Sequence, residues 1–127
     1  MRVNMRVQLF ETHLRQYENI VIIDLNGELN ANAEAGLNQA FSQALDFHPK
    51  VILLNFRQVS FINSTGIALI VSILAEARKK QVKLCVFDLS DHYRRVFQIT
   101  RLSDYLAIYP DEASALTSSS TNGGNQR

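Results

Sequence analysis

Apolar residues in this chain fall into short β-branched runs that alternate with longer stretches repeating every three to four positions, the pattern of an α/β protein. Residues 6–14 mix apolar and polar positions and predict a first strand. Gln16-Tyr17-Glu18-Asn19 predicts a tight turn, because Asn and its polar neighbours favour one. Ile20-Val21-Ile22-Ile23 is continuous and β-branched, so a second strand pairs with the first as a hairpin. Gly27-Glu28-Leu29-Asn30 ends that strand and leaves Asn30 as a candidate N-cap. Over residues 31–45, Ala33, Leu37, Ala40, Phe41 and Ala44 share one helical face. Gly36 sits inside that helix at a cost of about 1 kcal/mol relative to Ala, which points to close packing there.

His48-Pro49 breaks the pattern and leads into Val51-Ile52-Leu53-Leu54, a run suited to a strand covered on both faces. A second apolar stretch covers residues 59–62. Asn63-Ser64-Thr65-Gly66 then precedes an almost unbroken apolar segment, the signature of a helix start. This helix is expected to run to about Lys80, buried nearly all round, with Arg78, Lys79 and Lys80 complementing its C-terminal dipole. Residues 82–87 predict another strand, and Ser90 or Asp91 caps a helix turning Tyr93, Val96 and Phe97 inward. A short strand at 106–108 and a last helix, starting at Asp111-Glu112 and ending near Leu116, complete the order ββαβαβα with a final βα. The expectation is one domain over residues 1–116 with a mixed four- to five-stranded sheet and about four helices. Residues 117–127 contain no apolar side chain to offset ordering entropy, so they are expected to be a disordered tail.

Composition narrows the function more than the fold. The formal net charge is +1 and the basic residues are scattered, so neither nucleic acid nor an anionic membrane is implied as a partner. A single cysteine, Cys85, rules out an internal disulfide framework and fits a reducing compartment. The first residues lack the apolar core of a signal peptide, and no run reaches the ~18–20 apolar residues of a membrane span. A cytoplasmic protein is expected.

The chemistry concentrates at Ser64, where a buried strand hands over to a buried helix. There the first helical N–H groups lack partners and the dipole favours negative charge, so the hydroxyl suits a nucleophile, a phosphate acceptor or a cap. A nucleophile elbow of G-x-S-x-G form is disfavoured, because Ile62 stands at its first glycine. A phospho-accepting receiver is disfavoured as well, since the central strand ends in Asn55 and no acidic pair lies on the first strand. His13, His48 and His92 are far apart, with no Cys or His at ligand spacing, so no metal is expected. Neither G-x-x-x-x-G-K-[ST] nor G-x-G-x-x-G is present, and no cofactor is expected. Cys85 reads as a small core residue.

Three stretches together carry a family resemblance. Phe61-Ile62-Asn63-Ser64-Thr65-Gly66-Ile67 resembles the phosphorylation motif of STAS domains, specifically the anti-sigma factor antagonists. Gly27-Glu28-Leu29-Asn30 is similar to the family's G-E-L-D turn. Arg94-Arg95-Val96-Phe97-Gln98-Ile99-Thr100, with Leu102 and Ile108-Tyr109, matches its third-helix and final-strand pattern. The similarity spans about residues 5–116. It implies the STAS fold and a regulator without catalysis of its own. The unphosphorylated protein would bind an anti-sigma factor that is also a serine kinase, releasing the sigma factor. Phosphorylation at Ser64 would block binding, and a PP2C-type phosphatase would restore it. Glu28, Asn30, Asn63, Ser64 and Thr65 form the implied partner surface, with Thr65 expected to cap the helix. The chain departs from the family pattern at Asn30 and Asn63, where members often carry aspartate. The alternative implied by the same resemblance is a non-phosphorylated STAS scaffold or transporter-associated subunit.

Overall fold

A computed structural model describes residues 9–122. Strand β1 (Glu11–Tyr17) turns at Glu18 and Asn19 into β2 (Ile20–Leu29), with Tyr17 opposite Ile20. A 3-10 turn (Ala31–Ala33) leads into α1 (Glu34–Leu45), followed by β3 (Val51–Ile62) and α2 (Ser64–Lys79). The chain continues through β4 (Lys83–Phe87), α3 (Asp91–Ile99), β5 (Ala107–Tyr109) and α4 (Glu112–Asn122). The five strands lie in the order β1-β2-β3-β4-β5, with β1 antiparallel to β2 and every later pair parallel. Each parallel pair needs a crossover, and α1, α2 and α3 supply the three.

The alternation of side chains along the strands divides the core between two faces. Val21, Ile23, Leu25, Ile52, Leu54, Leu84 and Val86 pack with Leu37 and Phe41 of α1, Ile70 and Ile73 of α2 and Phe97 of α3. The opposite face carries Ile20, Ile22, Val51, Leu53, Cys85 and Phe87, packed with Ala115 of α4. The expected inward positions are all buried: Ala33 in the 3-10 turn and Leu37, Ala40, Phe41 and Ala44 on α1. Cys85 is buried as expected, and burial pushes its thiol pKa up.

Four elements differ from the sequence reading. The first strand ends three residues later than expected, and the expected positions 6–8 lie outside the described residues. The two apolar stretches around Arg57-Gln58 form one strand, with both residues of that polar pair exposed within it. Pairing with β2 absorbs the extra residues as register shifts between Asp24 and Asn26 and between Gly27 and Glu28, where Gly27 adopts φ 116°. Helix α2 is not buried all round: Ala68, Val71, Ser72 and Ala75 face outward, so three of the apolar residues in the stretch lie on its solvent side. Helix α4 continues to Asn122 where the chain was expected to lose order after Leu116. Ser119 lies one helical turn beyond Ala115 and is buried beside it, so the polar segment keeps a covered face. Residues 123–127 of the expected tail lie outside the described residues.

Candidate functional site

The parallel strands β2 and β3 end side by side, with Glu28 opposite Phe61 and Leu29 opposite Ile62. The Asn63 N–H donates to the Leu29 carbonyl (3.3 Å), tying the start of α2 to the end of β2. Gly66 makes the approach possible. A Cβ there would lie 2.0 Å from the Leu29 carbonyl oxygen, so a side chain at this position is incompatible with the packing. The small residue that looked like part of a helix signal is a contact requirement.

Asn63 caps α2. Its backbone is extended (φ −103°, ψ −175°), and its side-chain oxygen accepts from the Gly66 N–H at 2.9 Å. Such a cap contributes about 1 kcal/mol. Ser64 and Thr65 therefore occupy the first two helical positions, and the hydroxyl cap expected of Thr65 is not formed. The physical reason is reach: the residue one position before the helix presents its oxygen to the third helical N–H, and Asn63 stands there. Both hydroxyl-bearing residues are exposed, and among the described residues no hydrogen bond engages the Ser64 hydroxyl.

Asn30 does cap, but at the preceding 3-10 turn. Its side-chain oxygen accepts from the Asn32 N–H (3.0 Å), while its amide donates to Glu28 Oε1 (3.2 Å). Glu28 and Asn30 thus brace each other at the end of β2, next to the strand end that delivers Ser64. The five residues picked out in the sequence come from two segments joined through the Leu29 carbonyl.

Residues from α3 complete the surroundings, and these the sequence reading did not assign to the site. Ser90 caps α3 by accepting from the Tyr93 N–H at 3.2 Å. The Tyr93 hydroxyl then accepts from the Ile62 N–H (3.0 Å), fixing the last residue of β3 two positions before Ser64. His92 packs edge-on against the Tyr93 ring at 4.7 Å. A groove of about 370 Å³ runs between α2 and α3, with Phe61, Ser64, Ile67, His92, Tyr93 and Val96 among its lining. Phe61 is 46% exposed, an apolar ring left open beside the serine. The sequence pattern marks Tyr93 and Val96 only as inward-facing, and nothing in the α3 signature points to Ser64.

The opposite sheet face carries a separate polar cluster. Arg15 donates to both oxygens of Asp24 (2.8 Å each) and to both of Glu112 (3.0 and 2.8 Å). Desolvation pushes the Asp24 pKa up, but the hydrogen bonds from Arg15 and Asn55 outweigh it and hold the carboxyl below its ordinary range. Among the described residues, no three His, Cys, Asp or Glu are placed to share a metal ion. No described helix is long and apolar enough to cross a membrane.

A sheet with strands in sequence order, an antiparallel leading hairpin and a crossover helix opening at the serine turn define a STAS-type α/β domain. The STAS domain family model matches residues 11–115. The chain belongs to the STAS domain family. It is 32% identical over 82 residues to the anti-sigma-B factor antagonist of Listeria monocytogenes, covering 65% of this chain and 72% of that one. It is also 27% identical over 86 residues to the anti-sigma-B factor antagonist of Staphylococcus aureus, covering 68% and 80%. The fold is shared with an anti-sigma factor antagonist from Mycobacterium paratuberculosis, at a TM-score of 0.75 and 20% identity over 86% of this chain and 92% of that one. The phosphorylated form of the Bacillus cell fate determinant SpoIIAA superposes with a TM-score of 0.64 at 25% identity, over 84% and 96%.

Proposed function

We propose that this protein is an anti-sigma factor antagonist, a switch that binds a serine-kinase anti-sigma factor and is gated by phosphate on Ser64. The observation that carries this reading is the release of Ser64 from structural duty. Asn63 caps the helix, so the Ser64 hydroxyl faces solvent at the first helical position, beside an open apolar groove. The names of the relatives supply the partner class, and the phosphorylated SpoIIAA structure offers a parallel for the modification. A PP2C-type phosphatase would reverse it. The reading involves no catalysis by this chain and is consistent with a cytoplasmic setting.

A phosphate adds about −1.5 to −2 charge. At a helix start that charge is tolerated or worth ~0.3–1 kcal/mol to the fold. Its cost falls on the docked complex, where the partner would have to accommodate a dianion against Phe61 and Ile67, and each ~1.4 kcal/mol weakens binding tenfold. Incubation with the serine-kinase anti-sigma factor and ATP, followed by mass spectrometry, tests the modification. Phosphate on Ser64 is expected; none on Ser64 or Thr65 would leave a STAS scaffold instead. Ser64→Asp is expected to weaken the complex at least tenfold while Tm moves by a few degrees at most, and equal affinity of both forms would defeat the gating mechanism.

A further inference from the structure

Helix α4 alone among the described helices packs on the second sheet face, over Ile22, Leu53, Cys85 and Phe87. Its own contribution to that contact is small. In its sequence EASALTSSSTN, Ala115 is fully buried, Leu116 half-buried and the polar Ser119 buried, while Ala113 is exposed, so its apolar contact is confined to two side chains. Ser, Thr and Asn are poor helix formers, and an isolated helix of this length is marginal in water.

Polar contacts tie down its first turn. Asp111 accepts from the Ser114 N–H at 2.8 Å. Glu112 is gripped through both oxygens by Arg15, which reaches from the edge strand β1 and is itself held in place by Asp24. Arg15 and Glu112 are 97 residues apart, and their side chains are 28% and 34% exposed. The pair borders a cleft of about 420 Å³ that His13, Asn55 and Arg57 also line. Solvent and salt therefore reach it, and a partly exposed pair is screened by ions.

We propose that α4 is a strap that opens ahead of the rest of the fold, with the Arg15–Glu112 pair as its latch. Opening bares the apolar strip formed by Ile22, Leu53, Cys85 and Phe87. It leaves α1, α2, α3 and the Ser64 turn in place, since these pack on the other face or at the end of the sheet. The strap is independent of phosphorylation at Ser64.

Cys85 is the single cysteine of the chain and is fully buried under α4, so its alkylation reads the open population directly. The test is the rate of N-ethylmaleimide labelling of the full chain, followed by mass spectrometry, at urea concentrations below the unfolding transition. Local opening predicts a labelling rate that rises with urea much less steeply than global unfolding does. Glu112→Gln is expected to speed labelling roughly two- to fivefold. In an Arg15→Gln background the same change is expected to have no further effect, because the latch is already broken. Raising salt to about 1 M should accelerate the wild type and leave Glu112→Gln nearly unmoved. Labelling that follows the full urea dependence of global unfolding would overturn the strap. Equal rates for wild type and Glu112→Gln, or an undiminished effect of Glu112→Gln without Arg15, would overturn the latch.

Discussion

Replacing Gly66 with alanine offers a sharp check on how the Ser64 turn is built. The added Cβ would lie 2.0 Å from the Leu29 oxygen, 2.9 Å from the Leu29 carbonyl carbon and 3.0 Å from Ile62 Cγ2. Optimal contacts between non-bonded carbons are about 3.5–4.0 Å, so the overlap exceeds 1 Å and two of the three neighbours are backbone. Leu29 cannot retreat, because its side chain is fully buried and its backbone is paired with Ile62. The first turn of α2 has to lift instead. Lifting breaks the Asn63–Leu29 backbone bond, worth about 0.5–1.5 kcal/mol, and loosens the Asn63 cap, worth about 1 kcal/mol. It also disturbs the packing of Leu69 and Ile70. Alanine regains up to ~1 kcal/mol of helix propensity, leaving a net loss of about 2–3 kcal/mol. Urea unfolding monitored by circular dichroism measures it. Gly36→Ala is the control, since among the described residues its Cβ would meet only the Phe10 ring, at 3.3 and 3.7 Å, and a side chain can yield. That variant should be neutral or stabilised by up to ~1 kcal/mol. A Gly66→Ala loss below about 0.5 kcal/mol, or equal behaviour of the two variants, would refute the close-approach argument.

Asn63→Ala should cost about 0.5–2 kcal/mol in urea melts by removing the cap, whereas Asn63→Asp keeps the acceptor and should fall within ~1 kcal/mol of the wild type. Acid should weaken the fold through Asp24. Its folded pKa lies below the unfolded value, so its stabilising contribution is complete above the ordinary aspartate value near 3.8 and is lost as pH falls through the depressed one. Asp24→Asn should remove that portion of the acid dependence, and an unchanged stability profile between pH 5 and 2 would contradict the assignment.

Much of the fold was legible because β-branched runs and helical faces occur in strict alternation. Ile20 to Ile23 and the Leu37–Ala44 face needed no tertiary information. The Ser64 turn was legible as a helix start but not in its roles. Asn63, Ser64 and Thr65 can all cap, and only the extended backbone at Asn63 decides among them. Tyr93 was assigned an inward face, yet its bond to the Ile62 N–H depends on where α3 meets the end of β3, which no local pattern encodes. The Arg15–Asp24–Glu112 cluster was unreadable for the same reason, its members coming from the two ends of the domain. The helical order of α4 beyond Leu116 was missed because a segment of Ser and Thr carries no periodic apolar signal; its covered face depends on the sheet beneath it.

The strand order has a further consequence for how the molecule is made. Because spatial order equals chain order, every strand joins an edge already formed by the one synthesised before it. The β1–β2 hairpin needs no later segment for its pairing, and each strand–helix unit that follows can be added as it leaves the ribosome, without waiting for a distant segment. Contacts that bridge the two ends, such as Arg15 with Glu112, close last. Vectorial synthesis and the topology run in the same direction, so the nascent sheet carries one growing edge at a time and β5, three residues long, leaves little of that edge open at completion.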